Sequence, residues 1–247
     1  MPDGYLRYLA AVERFLREAG DADRQEAVAA AAAAIAGAIA AGRRVRVFGS
    51  SHAGLLAQDL VYRAGGLAPL DAVLPAELML NVRPITRTSD LERQPGLGCQ
   101  IFERIALDPG DVLILISVSG RNPATVEAAE VAQERGATVV ALTSLAYSRE
   151  VSARGTRRLF ETADIVIDLP GVIGDACVPV GGTGVVAGPT SSAVGTAMLH
   201  GLCVEVAELL AARGIAPPVY RSANLDAGDA ANRHLFREYA GRVDYLG

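Results

Sequence analysis

Lysine is absent from this chain of 247 residues, and its 23 basic residues are all arginines. A lysine amine is the group that forms a Schiff base with a sugar carbonyl, so this class of carbonyl chemistry is excluded. Acidic residues number 28, which gives a formal net charge of −5. Proteins that bind nucleic acid normally carry a basic excess, so we expect no nucleic-acid partner.

Cysteine and histidine are scarce, with three residues of each type. Cys99, Cys177 and Cys203 lie far apart, and no Cys-x-x-Cys or Cys/His cluster occurs. The spacing therefore predicts neither a disulfide framework nor a metal site, and we expect no bound cofactor.

A long hydrophobic run is also missing. The apolar stretch at residues 27–41 is mostly alanine. It is shorter than the roughly 20 residues that a membrane-spanning helix needs, so it predicts a tightly packed helix. No basic flank followed by an apolar core marks the N-terminus as a signal peptide. We therefore expect a cytoplasmic protein without a membrane partner.

Apolar strands alternate with helices from residue 44 onwards. The predicted strands occupy residues 45–48, 67–73, 112–116, 137–143 and 164–169. This alternation produces parallel strands joined by right-handed crossovers, so the sequence predicts an α/β fold with a doubly wound five-stranded parallel sheet. Ligands of such sheets bind beyond the carboxyl ends of the strands.

Two predicted helices precede the first strand and form an N-terminal helical arm within residues 1–42. Two helices are more than is needed to cover this part of one sheet. Such an arm packs either on a neighbouring subunit or on its own sheet, and the sequence leaves both possibilities open.

The segment after the third strand has the strongest functional signal. Ser117, Ser119, Gly120 and Asn122 follow a continuous apolar run, and Pro123 then opens a helix with Asn122 as its N-cap. Backbone N–H groups and the helix dipole favour an anion at such a terminus, and the serine hydroxyls add donors. The sequence predicts a phosphate-binding loop here.

The loop after the first strand has a similar pattern. Ser50 and Ser51 follow Gly49 and precede a helix, so both loops can close over one ligand. A third candidate is the start of the last long helix, where Thr190 and Ser191 either bind the ligand or only cap the helix.

A dinucleotide-binding fingerprint is the rival interpretation of the first loop. Gly49-x-Ser51-x-x-Gly54 approaches that pattern, and Asp71 lies about 20 residues further on, where a ribose-binding acid belongs. Ser51 stands where a glycine normally lets the pyrophosphate approach, so the fit is poor.

Two segments fit no regular pattern. Residues 81–98 form a stretch long enough to be either functional or mobile. Residues 171–188 are rich in glycine and carry no assignable element.

The motif Ser117-x-Ser-Gly-x-Asn122 resembles that of the SIS (sugar isomerase) domain. The motif lies between a strand and a helix, and that helix leads to the segment Gly136-Ala-Thr-Val-Val-Ala-Leu-Thr143. Four further segments are similar to those of small bacterial single-domain SIS proteins, which are often named phosphosugar or phosphoheptose isomerases. These segments are Phe48–His52, Tyr62–Gly66, Gly188–Ser191 and Pro217–Asn224. The resemblance implies one SIS domain over residues 1–247, an αβα sandwich and a phosphosugar ligand. The apolar and alanine-rich faces of the two helices ahead of the first strand lead us to expect a homodimer or homotetramer.

Aldose–ketose isomerisation needs a base that moves a proton between C1 and C2, and an acid that serves the carbonyl oxygen. Candidates are Glu77, which follows the second strand, and His52 in the first loop. The resemblance implies two more, because Asp59 and His200 correspond to an acid and a histidine of phosphoheptose isomerases. Each has a structural alternative: Glu77 as a helix cap, Asp59 as a solvated residue and His200 as a core or interface histidine.

The expected function is therefore binding of a sugar phosphate, with aldose–ketose isomerisation by proton transfer as the reaction. A phosphosugar lyase or etherase and a non-catalytic phosphosugar sensor are the alternatives. An acid–base pair within reach of the crevice favours an enzyme over a sensor.

Overall fold

A computed structural model describes residues 3–246 of the chain. Its main sheet contains five parallel strands in the order β2-β1-β3-β4-β5. The strands are β1 (Val45–Gly49), β2 (Leu70–Val73), β3 (Val112–Ile116), β4 (Thr138–Thr143) and β5 (Ile165–Asp168). The predicted doubly wound sheet is confirmed. Strand β2 is shorter than predicted because Leu67 and Ala68 pair with residues 218–219 instead.

Ten α-helices surround the strands in the described residues. They are α1 (Gly4–Ala19), α2 (Ala22–Ala40), α3 (His52–Leu60), α4 (Arg87–Leu91), α5 (Leu97–Phe102), α6 (Pro123–Glu134), α7 (Leu145–Glu150), α8 (Leu159–Thr162), α9 (Ser191–Ala212) and α10 (Gly228–Tyr239). Short 3-10 helices occupy Ala76–Leu78 and Asp244–Leu246.

Two hydrophobic cores lie on opposite faces of the sheet. In β3, Val112, Ile114 and Ile116 face the core beneath α2, α3 and α9, whereas Leu113 and Leu115 face the core beneath α5 and α6. Alternate side chains of a strand point to opposite faces, so a strand covered on both sides must be apolar throughout. This double burial explains the continuous hydrophobic run that predicted β3.

The N-terminal helices pack within their own chain. Helix α2 lies against α9 and β5, and its buried Ile35 belongs to the same core as the sheet. Arg24 of α2 pairs with Asp168 at the end of β5, with 2.6 Å between guanidinium and carboxylate. Helix α2 is therefore packed on the sheet of its own chain, whereas α1 leaves Tyr5, Leu6, Leu9 and Leu16 exposed. Helix α9 is long and apolar enough to cross a membrane by length and composition, yet it packs between α2 and α3.

The unassigned segment 171–188 contains most of an antiparallel hairpin, β6 (Ala176–Pro179) and β7 (Val186–Pro189). The hairpin lies against α1: Tyr8 Oη donates to the Pro189 carbonyl at 2.7 Å, and Arg7 donates to the Pro179 carbonyl at 3.1 Å. A side chain at Gly188 would meet the Tyr8 ring 2.7 Å away, so this contact requires glycine.

A buried ion pair joins β1 to β2. Arg46 and Asp71 are neighbours in the parallel register, and each is about 1% exposed. Arg46 also donates to the Ala106 carbonyl at 3.0 Å and to Asp244 at 2.9 Å. Asp71 is thus enclosed and ion-paired, and it is not accessible to a ribose hydroxyl. The dinucleotide interpretation has no support in the structure.

Candidate functional site

The chain reverses its direction across the sheet between β1 and β3. From β1 it proceeds to β2 on one side, and from β3 to β4 on the other. Gly49 and Ile116 end these strands as partners in register, so Ser50 and Ser117 leave the sheet side by side. Helices α3 and α6 begin here. Such a switch point is where open α/β sheets bind their ligands.

The loop after β1 holds a buried hydroxyl without a partner. Ser50 is 7% exposed, and its Oγ has no hydrogen bond within the described residues. Ser51 adopts φ 55°, a conformation that serine rarely takes, and its Oγ donates to Thr88 Oγ1 at 3.0 Å. Buried hydroxyls are normally satisfied, so Ser50 is a donor available to a ligand.

The loop after β3 is held by the end of β4. Ser117 N–H donates to the Leu142 carbonyl at 3.1 Å, and Ser117 and Ser119 are both half-buried. Gly120 has φ 58°, and a side chain there would come within 3.0 Å of Thr143 Oγ1. Only glycine fits this position without strain. The loop is therefore fixed close to the β4 backbone.

Helix α6 begins as the sequence predicts, with Asn122 at the N-cap position and Pro123 as its first residue. The Asn122 side chain does not cap the helix. Its Oδ1 accepts a hydrogen bond from Arg154 Nη1 at 2.7 Å. Pro123 has no N–H, and the Ala124 and Thr125 N–H groups donate to the carbonyls of Glu92 and Asn122, both at 3.3 Å. The helix start expected to hold an anion is therefore already satisfied by backbone carbonyls.

Segment 81–98 is ordered and connects the two loops. Near the start of α4, Thr88 Oγ1 accepts a hydrogen bond from Ser51 Oγ. Just past the end of α4, the Glu92 carbonyl accepts a hydrogen bond from the Ala124 N–H of α6 at 3.3 Å. Burial raises the pKa of the Glu92 carboxyl, and Arg93, the Asn122 side chain and Arg154 partly offset this rise. Sequence reasoning left this segment open and missed Thr88 and Glu92.

The start of α9 is already occupied by a carboxylate of the same chain. Asp175 accepts from the backbone N–H groups of Thr190 and Ser191 at 2.9 and 2.8 Å, and also from both hydroxyls. An anion at this terminus would have to displace Asp175. Thr190 and Ser191, predicted as ligand contacts, instead donate to Asp175, which caps the helix, and they are not retained in the site.

Two predicted catalytic residues lie next to the first loop. His52 is exposed at the first position of α3. Glu77 is half-buried on the 3-10 turn whose Leu78 carbonyl accepts Ser51 N–H at 2.8 Å. The helix that Glu77 was expected to cap is only this single turn, because Met79 is extended.

A cavity of about 610 Å³ adjoins this turn. Its walls are formed by α3 and by the segment after β2, and the lining residues include Leu55, Gln58, Ala76, Met79 and Asn81. Ligand pockets typically measure about 300–1,000 Å³. The cavity has the size needed for a small ligand, and its lining residues come from α3 and from residues 74–83 rather than from the two loops.

The other two predicted catalytic residues meet each other. His200 Nε2 lies 2.9 Å from Asp59 Oδ2, and Arg63 lies 2.6 Å from the same carboxylate. Asp59 follows Gln58, which lines the cavity. Asp59 is seven residues along α3 from His52, or about 10 Å at 1.5 Å per residue.

Among residues 3–246, no group of three histidine, cysteine or acidic side chains suited to a metal ion occurs.

Comparison with known proteins identifies the family. A family model described as the SIS domain matches residues 7–144. A UPF0309 protein of Shouchella clausii is 41% identical over 242 residues, which cover 97% of this chain and 98% of that protein. A UPF0309 protein of Oceanobacillus iheyensis is 40% identical over 221 residues, covering 89% and 90%. This chain is a SIS-domain protein of the UPF0309 family.

Solved structures support the same fold for this SIS-domain protein. A phosphoheptose isomerase from Francisella tularensis superposes with a TM-score of 0.55 at 20% identity, covering 83% of this chain and 97% of that one. A phosphoheptose isomerase from Neisseria gonorrhoeae gives 0.54 at 19%, covering 81% and 95%. The resemblance predicted from the Ser117–Asn122 motif is confirmed at the level of family and fold.

Proposed function

We propose that this SIS-domain protein binds a sugar phosphate at the switch point and isomerises it between aldose and ketose forms. The observation that carries the proposal is the buried, unpartnered hydroxyl of Ser50 beside the half-buried Ser117. Together with Ser119, these hydroxyls form a set of donors around one small anion. The names of the two similar isomerases support a phosphosugar ligand.

The sugar carbons extend from the phosphate into the cavity beside α3 in this proposal. The 3-10 turn that carries Glu77 separates the first loop from the cavity, since Leu78 binds Ser51 while Ala76 and Met79 line the cavity wall. Glu77 is the proposed base: it removes the proton from one of C1 and C2 and returns it to the other. The carbon skeleton and the phosphate ester stay intact.

His200, held by Asp59, is the proposed acid that serves the carbonyl oxygen. Its position on α9, next to the α3 turn that lines the cavity, supports this role. Glu92 lies at the opposite, Asn122 end of the site, so it is a poorer choice for proton transfer at C1 and C2. His52 is exposed beside the first loop and is proposed to contact the ligand rather than to act on its carbonyl.

The test combines a ligand panel with an exchange assay. Thermal shifts would be measured with pentose, hexose, heptose and N-acetylhexosamine phosphates, and the binding compounds would then be incubated in deuterium oxide. An isomerase incorporates deuterium at C2 and produces the isomer. A lyase or etherase incorporates deuterium and loses its leaving group. A sensor binds without any exchange, and that result would overturn the isomerase proposal.

Assembly and location belong to the same proposal. We place the protein in the cytoplasm as a homodimer or homotetramer that works as one SIS unit, without a cofactor, metal, nucleic acid or membrane. Light scattering of the full chain tests the assembly, and a compact monomer at working concentration would contradict it.

A further inference from the structure

Three arginines gather at the Asn122 end of the phosphate loop. Arg154 Nη1 donates to Asn122 Oδ1 at 2.7 Å, and Arg154 N–H donates to the Arg121 carbonyl at 3.0 Å. Arg121 Nη2 donates to Ser152 Oγ at 3.1 Å. Arg93 comes from the segment that covers the site, directly after Glu92. The side chains thus come from three separate segments of the chain.

This arginine cluster carries a net positive charge, which Glu92 offsets only in part. Within residues 3–246, no carboxylate lies within 4.0 Å of the three guanidinium groups, although Arg24, Arg46, Arg63 and Arg158 all have such partners. The pKa of Arg154 is lowered by burial and by the positive charges of Arg93 and Arg121, with Glu92 opposing. Like charges held together in this way favour an anion between them.

One donor of the arginine cluster is also unsatisfied. Nε of Arg121 is shielded from solvent and has no hydrogen-bond partner in the described part of the chain. Arg93 and Arg154 are exposed, so a ligand can reach them. The guanidinium fork matches the geometry of phosphate oxygens, and hydrogen bonds between two ionised groups are the stronger kind.

We propose that Arg121 and Arg154, reinforced by Arg93, supply the positive charge that binds the doubly charged phosphate group, while the serines orient it. The proposal rests on phosphosugar binding at this loop and adds its charge selectivity. A phosphate ester, with a charge near −2 at neutral pH, should bind better than a sulfate ester, with a charge of −1. Glu92 competes for the same arginines, so its removal should strengthen binding.

The test measures affinities for glucose 6-phosphate and glucose 6-sulfate by calorimetry at constant ionic strength. We expect the wild type to prefer the phosphate ester by about tenfold or more. Arg154→Gln and Arg121→Gln should lower phosphate-ester affinity by about tenfold and reduce that preference. Glu92→Gln should raise the affinity. Arg213→Gln, which removes an exposed charge past the end of α9, should change neither value.

The outcomes separate the two proposals. If Ser119→Ala weakens binding but Arg121→Gln and Arg154→Gln leave the phosphate-to-sulfate ratio unchanged, the arginine proposal fails and the loop remains. If neither the serine nor the arginine variants alter affinity, or if the wild type binds none of the sugar phosphates of the thermal-shift panel, both proposals fail. Arg121→Lys keeps the charge but not the fork, so recovery of affinity in that variant would assign the effect to charge alone.

Discussion

His200 Nε2 lies 2.9 Å from the carboxylate of Asp59, although 141 positions separate the two residues in the sequence. The contact joins α3 to α9, and the side chains of His200 and Asp59 are 31% and 41% exposed. A pair this exposed contributes only about 0–1 kcal/mol to stability. Its formation brings together two residues that the sequence could relate only through a family resemblance.

The first prediction concerns this pair. If His200 serves the carbonyl oxygen, His200→Gln should slow isomerisation by about 10²-fold or more, as expected for loss of an acid–base group. Asp59→Asn should act through the same histidine, so the double variant should be no slower than the single ones. Normal turnover in both variants, with only a small loss of stability, would make the pair a structural link.

The second prediction concerns Glu77. Glu77→Gln keeps the shape of the side chain but removes its basicity, so exchange of the C2 proton with solvent should fall by about 10²–10⁴-fold while phosphosugar binding stays normal. Glu134→Gln is the matched control, because Glu134 is exposed at the far end of α6. Deuterium incorporation at the wild-type rate in Glu77→Gln would show that the base lies elsewhere.

The third prediction concerns the enclosed Arg46–Asp71 pair. Asp71→Asn leaves a buried guanidinium with only the exposed Asp244 as a charged partner, and breaking such a pair costs about 3–5 kcal/mol. Urea unfolding measures this loss. Asp108→Asn removes the exposed partner of Arg44 and should cost at most about 1 kcal/mol. Equal losses in the two variants would contradict the structural role of Asp71.

The fourth prediction concerns the pH dependence that Glu92 imposes. Its pKa is raised in the folded protein, so the fold favours the protonated acid. The stability that Glu92 contributes is therefore complete below the ordinary carboxyl pKa and is lost as pH rises through the raised value. Glu92→Gln lacks this loss. We expect the stability of Glu92→Gln relative to wild type to increase from pH 4 to pH 7.5 in denaturant titrations; a constant difference would argue against a raised pKa.

The strand–loop–helix unit around residues 117–122 could be predicted because its signals are local. A strand buried on both faces leaves a continuous apolar run, and Pro123 marks a helix start wherever it occurs. The switch point follows from the alternation of strands and helices. These features depend on residues within one short segment, so the sequence alone indicates them.

The remainder of the site depends on packing between distant segments. Thr88 and Glu92 reach the loops only because α4 lies across them, and the loop sequences carry no trace of this contact. Arg154 comes from a segment beyond β4, without a motif. Asp175, which caps α9, has φ 67°. It lies within a glycine-rich stretch whose two strands are only four residues long. Short strands and tertiary caps leave little periodic signal.

Titration of wild type and Ser119→Ala with the sugar phosphates that bind in the thermal-shift panel tests the central claim most directly. Loss of one hydrogen bond to a charged group costs about 1.5–3 kcal/mol. We predict that Ser119→Ala binds the phosphosugar at least about tenfold more weakly than wild type, with an unchanged melting temperature in the absence of ligand. Equal affinities of the two proteins would contradict the assignment of the Ser117–Asn122 loop as the phosphate site.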